Sequence, residues 1–288
     1  MVWLRAAQGV RPERAAREAA SGDSYTETPL MADGFDAATW WQPLYDDIVA
    51  EMFLVRRDPA EAAATAAFLR DTLRLVPGTT AFDQCCGIGT LSLPLAEQGV
   101  RVVGVDQSEA YIRRARESAG TLPCEFFAAD AFAFTPRVPC DAAFNWGTSF
   151  GNTLDDDRNR DMLRRAFECL TPGGRFLLDY QHVPRVLRHF QHTLSKRHGD
   201  VLLLRESTVD LAAGALRQTW TFLLPDGTRR SRRSEVRLYL PHQLGEMLRD
   251  VGFADVQFFG DADRRELSLD SPRCVVVGTR PEIGRAHV

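Results

Sequence analysis

Asp83 stands near the end of the apolar stretch Thr79 to Gln84, and Cys85-Cys86-Gly87-Ile88-Gly89-Thr90 follows at once. Glycines in such a turn let the backbone take dihedrals closed to other residues and let a ligand lie against the peptide groups. Asp106 comes 23 residues later, at the end of Arg101 to Val105. An acid there can accept both hydroxyl hydrogens of a ribose. Asp130 closes a third apolar stretch, Cys124 to Ala129, and is followed by Ala131-Phe132. Taken singly, each acid reads equally well as a helix cap. Three at successive strand ends point to a nucleoside-like ligand.

A dinucleotide and S-adenosylmethionine both fit the Gly-x-Gly turn and Asp106, and three features separate them. A carboxylate at Asp83 repels a pyrophosphate and attracts the ammonium of a methionine moiety. Asp130 can accept from an adenine amino group while its apolar neighbours Ala131 and Phe132 pack on the ring. The C-terminal order of helix, strand, glycine-rich link and strand suits a closing antiparallel pair rather than a wholly parallel dinucleotide fold.

These residues make the chain resemble class I S-adenosylmethionine-dependent methyltransferases over about Phe35 to Thr279. Their motif of apolar strand, acid and G-x-G-x-G is matched by Asp83, Cys85, Gly87 and Gly89, with Asp106 and Asp130 as the next two acids. Cys85 departs from the pattern, since the family has its first glycine there. The resemblance implies S-adenosylmethionine as cofactor, held by Asp83, Cys85, Cys86, Gly87, Gly89, Asp106, Gln107, Asp130, Ala131, Asn145 and Trp146. It implies methyl transfer to an oxygen, nitrogen or carbon of a small molecule, with Ser149 facing the acceptor. Tyr45, Trp40 and Trp41 lie where related small-molecule enzymes fold a helix over the cofactor. His182 is the best-placed candidate base, should a hydroxyl acceptor need one. The rival functions are a nicotinamide-dependent oxidoreductase and a non-catalytic ligand-binding protein on the same fold. The acceptor's identity is not legible.

The elements that must position these residues alternate. Trp40, Trp41, Leu44, Tyr45, Ile48, Val49 and Met52 recur at three- and four-residue spacing and predict one helix. A second follows the Asp58-Pro59 cap and runs through Leu75. Strands are expected at Thr79 to Gln84, Arg101 to Val105, Cys124 to Ala129, Ala142 to Trp146 and Arg175 to Tyr180. Helices over Leu91 to Ala96, Glu109 to Ala119 and Asp155 to Leu170 separate them. Continuous apolar strands parted by helices mean a mainly parallel sheet covered on both faces. Three further strands, Val201 to Leu211, Leu216 to Leu224 and Arg229 to Leu240, predict an antiparallel cap inserted over about residues 182–240. Trp220, Phe222 and Leu224 share one of its faces, which is expected to roof the acceptor above Ser149 and His182. A helix, Pro241 to Asp250, and strands Ala254 to Phe259 and Arg273 to Thr279 close the fold. The fold class expected is α/β: Rossmann-like, seven-stranded, mostly parallel, with the cap inserted.

The chain has 288 residues, 44% hydrophobic and 26% charged, with a net charge of −4. That composition suits one globular α/β domain and gives no broad electrostatic reason for a nucleic-acid partner. No apolar run reaches the roughly 20 residues of a membrane helix. The six cysteines lack zinc-finger spacing and suit a reducing cytoplasm, and the arginine- and alanine-rich composition suggests a bacterial enzyme, monomeric or homodimeric. Residues 1–33 are expected to be a disordered extension or an over-long start before Met31. Residues 34–281 form the expected domain, and 282–288 resemble a translated sequencing adapter.

Overall fold

The computed structural model describes residues 35–55, 59–147 and 149–282. The readings of the N-terminal extension, of Asp58 as a cap and of the end beyond 282 lie outside those residues. Consecutive residues in the strands are apolar, so each strand feeds two layers. In β1 (Thr80–Gln84) Ala81 faces one layer and Phe82 the other; in β4 (Cys140–Asn145) Ala142 and Phe144 oppose Ala143. Leu177 likewise opposes Phe176 and Leu178 in β5 (Leu170–Gln181). Burial on both faces is what parallel strands with crossover helices require.

One layer is built by α6 (Asp156–Cys169) and α8 (Pro241–Val251), through Met162, Leu163, Leu244 and Leu248. The opposite layer is built by α3 (Pro59–Leu73) and α4 (Ser92–Glu97), through Phe68, Leu69 and Leu95. Helix α5 (Glu109–Ala119) covers β2 (Arg101–Asp106) and β3 (Cys124–Ala128). With β10 (Ala254–Phe259) and β11 (Arg273–Thr279), the sheet order is β10-β11-β5-β4-β1-β2-β3. Strand β11 runs antiparallel to both neighbours, and the pairs β5-β4, β4-β1, β1-β2 and β2-β3 are parallel. This is the seven-stranded α/β fold expected, and the order reverses between β1 and β4, where such sheets bind ligands.

The cap is a separate antiparallel sheet with one strand more than expected. Its order is β6 (Thr193–His198), β7 (Val201–Asp210), β8 (Ala215–Leu223), β9 (Arg229–Arg237). Strand β6 carries Thr, Ser, Lys, Arg and His around a single Leu, so no apolar period announces it. A short helix, α7 (Val183–Arg188), precedes it.

The helix expected over Trp40 to Met52 is broken. It forms α1 (Trp41–Leu44), α2 (Asp47–Val49) and a π-helical turn, Ala50–Leu54. Asp46 causes the break: its carboxylate accepts from the Ile48 and Val49 N–H groups and starts α2 afresh. The predicted apolar stripe survives, because Trp40, Trp41, Leu44, Val49 and Met52 are all buried against Trp220, Phe222 and Leu203 of the cap. Among the described residues no helix is long and apolar enough to cross a membrane.

Candidate functional site

The turn after β1 is held from several sides. Cys85 takes φ +63°, Gly87 +57° and Gly89 +79°, so three residues within five are left-handed. Cys86 N–H donates to Val105 O at 2.9 Å, tying the turn to β2. Gly87 N–H donates to Asp106 Oδ2 at 3.0 Å and Ser108 N–H to Asp106 Oδ1 at 2.9 Å. Each Asp106 oxygen thus keeps lone-pair capacity for a ligand. Ser92 Oγ donates to Asp83 Oδ2 at 2.6 Å, and Asp83 is 3% exposed.

Burial pushes the Asp83 carboxyl up to about 7, with a further push from Asp106 against the Ser92 hydrogen bond. Burial also raises Asp106, opposed by the N–H groups of Ser108, Gly87 and Gln107. Both cysteine thiols are held well above their ordinary range by burial and by the nearby acids, so they stay protonated. Asp130 is exposed; it accepts from Phe132 N–H at 2.9 Å and pairs with Arg158 at 3.6 Å.

These groups face one cavity of about 1290 Å³, counted out to its open mouth. Asp83, Cys85, Cys86, Gly87, Asp106, Gln107, Asp130, Ala131, Trp146, Ser149, Tyr45, Trp41 and Trp220 all line it. Four residues named from the sequence do not. Trp40 is buried beside it, its indole N–H donating to Asn152 O at 2.9 Å. Gly89 turns toward Phe126 and Ala115, where a Cβ would lie within 3.4 Å of each. Asn145 is fully buried behind the wall, its amide donating to Gln84 Oε1 at 3.3 Å and facing Met162 Sδ at 3.4 Å. His182 is 2% exposed at the N-cap position of α7, beside Ser268, and burial lowers its pKa. The structure therefore removes the geometric support for His182 as a base: it was the residue after the strand, and α7 turns it into the interior.

Missed lining residues include Phe53, Leu54, Thr90, Tyr111, Asn152 and Met162, whereas Phe132, named beside Ala131, does line the cavity. Phe53 and Leu54 arrive through the π-helical turn, which a 3.6-residue period does not anticipate. Asn152 follows a glycine in a loop and carried no signal.

The N-terminal segment is laid over the turn by its own carbonyls. Asp46 O accepts from the Tyr111 hydroxyl at 2.7 Å and Leu54 O from Thr90 Oγ1 at 3.0 Å. A Cβ on Gly87 would stand 3.3 Å from the Leu54 side chain, which would have to give way by a few tenths of an ångström, and the left-handed φ of +57° itself favours glycine. The segment's outer edge is held by Arg158, whose guanidinium lies 4.5 Å from the Phe132 ring centre and 5.3 Å from that of Trp41. Behind the cavity, Arg273 stacks at 4.7 Å on Trp146 and pairs with buried Asp179, which also accepts from Gly147 N–H at 3.0 Å.

The donor set tests what could fit. One buried carboxylate, Asp83, and one half-buried, Asp106, both pushed toward protonation, sit in a wall where no described residue is Lys, Arg or His. A cationic ligand relieves that imbalance and an anionic pyrophosphate worsens it. An ammonium at Asp83, a ribose at Asp106 and an adenine between Phe132 and Asp130 meet the groups present.

The family described as methyltransferase domain matches residues 81–174. The chain is 38% identical over 120 residues to a 2-phytyl-1,4-naphtoquinone methyltransferase of Thermosynechococcus vestitus, covering 39% of this chain and 51% of that protein. It is 33% identical over 113 residues to an S-adenosyl-L-methionine-dependent Diels-Alderase, iccD, of Talaromyces variabilis, covering 37% of each. The matches thus span about half the length of the first relative and just over a third of the second. Among solved structures, the CcbJ methyltransferase of Streptomyces caelestis superposes with a TM-score of 0.71 at 23% identity, over 86% of this chain and all of that one.

Proposed function

We propose, from the premise that this chain has the class I S-adenosylmethionine-dependent methyltransferase fold and its cofactor-loop domain, that it moves a methyl group from S-adenosylmethionine to an oxygen, nitrogen or carbon of a small molecule. The observation that carries this reading is the meeting of Asp83, Asp106 and Asp130 with the left-handed Cys85-to-Gly89 turn in one cavity, whose other half is aromatic. A dinucleotide would leave buried Asp83 facing a phosphate.

Bound, S-adenosylmethionine supplies an electrophilic methyl group on a sulfonium. The chain's own residues bind and orient. Asp106, its backbone hydrogen bonds already in place, accepts from the ribose hydroxyls. Asp83 takes the ammonium, which draws its carboxyl to the ionised form. Ala131 and Phe132 pack on the adenine and Asp130 accepts from its amino group. Trp146, Gly147 and Ser149 lie on the path from β4 toward the acceptor. Trp41, Tyr45 and Trp220 close that end against water, which favours alignment of the reacting atoms.

The cap over about 182–240 is read as an insertion within a single domain, 34–281. The enzyme is read as bacterial and cytoplasmic, acting as a monomer or homodimer. Calorimetric titration with S-adenosylmethionine and with NAD tests the cofactor. Binding of the first alone supports the reading; binding of NAD alone, or of neither, ends it. Mass analysis of a reacted small-molecule library then separates methyl transfer from cofactor-dependent chemistry without transfer.

A further inference from the structure

Trp146 and Gly147 border the cavity just past the end of β4. The β4–β5 pairing stops at Asn145 and Leu178, so the sheet's own ladder does not hold them. Strand β5 runs on to Gln181, and Asp179 stands in that overrun, opposite Val275 of β11. Its Oδ2 accepts from Gly147 N–H at 3.0 Å, a side-chain bond where the ladder would have had its next rung. Gly147 takes φ +96°, and a Cβ there would meet nothing within 4 Å. The backbone angle, and not crowding, therefore asks for glycine. The far end of the same loop is tied elsewhere: Gly151 O accepts from Arg237 N–H at 2.7 Å and Asn152 O from Trp40 Nε1 at 2.9 Å.

Arg273 stands two residues before Val275, so its side chain and that of Asp179 are diagonal neighbours on one sheet face. Its Nη1 donates to the same Asp179 Oδ2 at 2.5 Å, and its Nε lies 3.8 Å from Asp261 Oδ1. Its guanidinium is 4.7 Å from the Trp146 ring centre, and Phe68 makes a T-shaped contact with that ring at 6.0 Å. Arg273 thus touches Trp146 directly and reaches Gly147 through Asp179. Both partners are out of water, Asp179 at 0% exposed and Arg273 at 8%. Apolar residues of like volume often replace a buried ion pair with no loss of stability. Packing alone therefore gives no reason for this pair, whereas holding the Gly147 N–H needs an acceptor.

We propose that Asp179, with Arg273 as its buried counter-charge, is a positioning residue of the cofactor site: from behind the wall it fixes the Trp146-Gly147 turn in the arrangement that binds S-adenosylmethionine. This rests on the proposed function and adds to its site two residues that do not border the cavity. Asp179 acts through its bond to Gly147 N–H and touches no ligand. With that acceptor gone, the left-handed turn loses its hold from outside the loop and samples other arrangements. A ligand then binds more weakly by the fraction of time the turn still fits it.

Two neutral double variants test this without stranding a buried charge: Asp179→Leu with Arg273→Met, and Asp179→Asn with Arg273→Met. They differ in the acceptor offered to Gly147 N–H, which the second keeps and the first lacks. Calorimetry with S-adenosylhomocysteine on the full chain is expected to show the first binding about fivefold more weakly than the wild type, the scale of one lost hydrogen bond, and the second within about twofold of it. Amide hydrogen exchange at Gly147 gives a readout apart from the ligand. It is expected to be slow in the wild type and the second variant, and severalfold faster in the first at an unchanged melting temperature. Where the first does not fold, Asp179→Ser with Arg273→Met takes its place, since a hydroxyl one bond shorter stops short of Gly147. Equal affinity in the wild type and the first variant overturns the proposal. So does an affinity that falls alike in both variants, which would make Asp179 and Arg273 a packing pair alone. If the wild type itself binds no S-adenosylhomocysteine, the cofactor reading fails and this inference falls with it.

Discussion

At Cys85 a residue with a side chain sits at φ +63°, where the related pattern has glycine. A left-handed non-glycine residue costs about 1–2 kcal/mol, and a β-branched one more. Cys85→Gly is therefore expected to keep the melting temperature within a few degrees, whereas Cys85→Val should lower it by clearly more. Asp106 tests the ligand side of the same turn. Its replacement by Ala should weaken S-adenosylmethionine binding by roughly 1.5–3 kcal/mol, the scale of hydrogen bonds to a charged group. An unchanged affinity in a folded variant would take Asp106 out of the site. Asp83 carries a pH signature. The folded protein holds its proton to about 7, the unfolded chain only to about 3.8, so ionising it costs stability as pH rises through that window. The advantage in melting temperature of Asp83→Asn over the wild type should grow across the same range and flatten above it. A constant difference would mean that Asp83 titrates normally. These three acids were legible because each ends an apolar strand. Gly89 and Asn145 were misplaced because a spacing motif says which residues share a turn or strand, not which of them turn away from the ligand.

Among the elements, the broken N-terminal helix shows what periodicity hides. The stripe from Trp40 to Met52 is real, yet the segment docks through its main chain as well. Its carbonyls are the docking points: Asp46 O, which also accepts from Ala50 N–H, for Tyr111, Leu54 O for Thr90, and Ala38 O for Arg158 at 3.2 Å. From the cap, Lys196 reaches Met52 O at 3.3 Å and Arg232 reaches Pro43 O at 3.2 Å. Residue types do not announce such bonds, because any residue has a carbonyl. Arg158→Ala removes the stacking on Trp41 and Phe132 and the exposed Asp130 pairing, together about 1 kcal/mol. Limited proteolysis is expected to cut within residues 35–55 of that variant before the rest of the chain unfolds; equal resistance in both proteins would deny Arg158 this part. Strand β6 was likewise unreadable, since an edge strand exposed along one side has no need of an apolar face.

Across the whole molecule, the alternation of strand and helix announced the seven-stranded sheet and its closing antiparallel pair, because burial on two faces leaves an unmistakable apolar run. The cap was read as an insertion with a Trp220 and Phe222 face, and that face packs on the N-terminal segment while Trp220 reaches the cavity. Trp220 is 1% exposed and donates to Ser234 Oγ at 2.9 Å, so truncation to Ala, at about 3–5 kcal/mol, risks the fold. Trp220→Phe keeps the ring and loses the bond. It should raise the acceptor's KM about fivefold, near 1 kcal/mol, with S-adenosylmethionine affinity unchanged. Equal loss of both ligands would make Trp220 a packing residue alone. The segment of residues 35–55 has a consequence of its own, since one stretch of chain borders the turn on one side and the cap on the other. Whatever lies beneath it, at either end, departs past the same door. A molecule that holds the door shut favours the binding of its neighbour, and the coupling is reciprocal in free energy. Two small ligands beneath the segment would thus tighten each other's hold by the same factor.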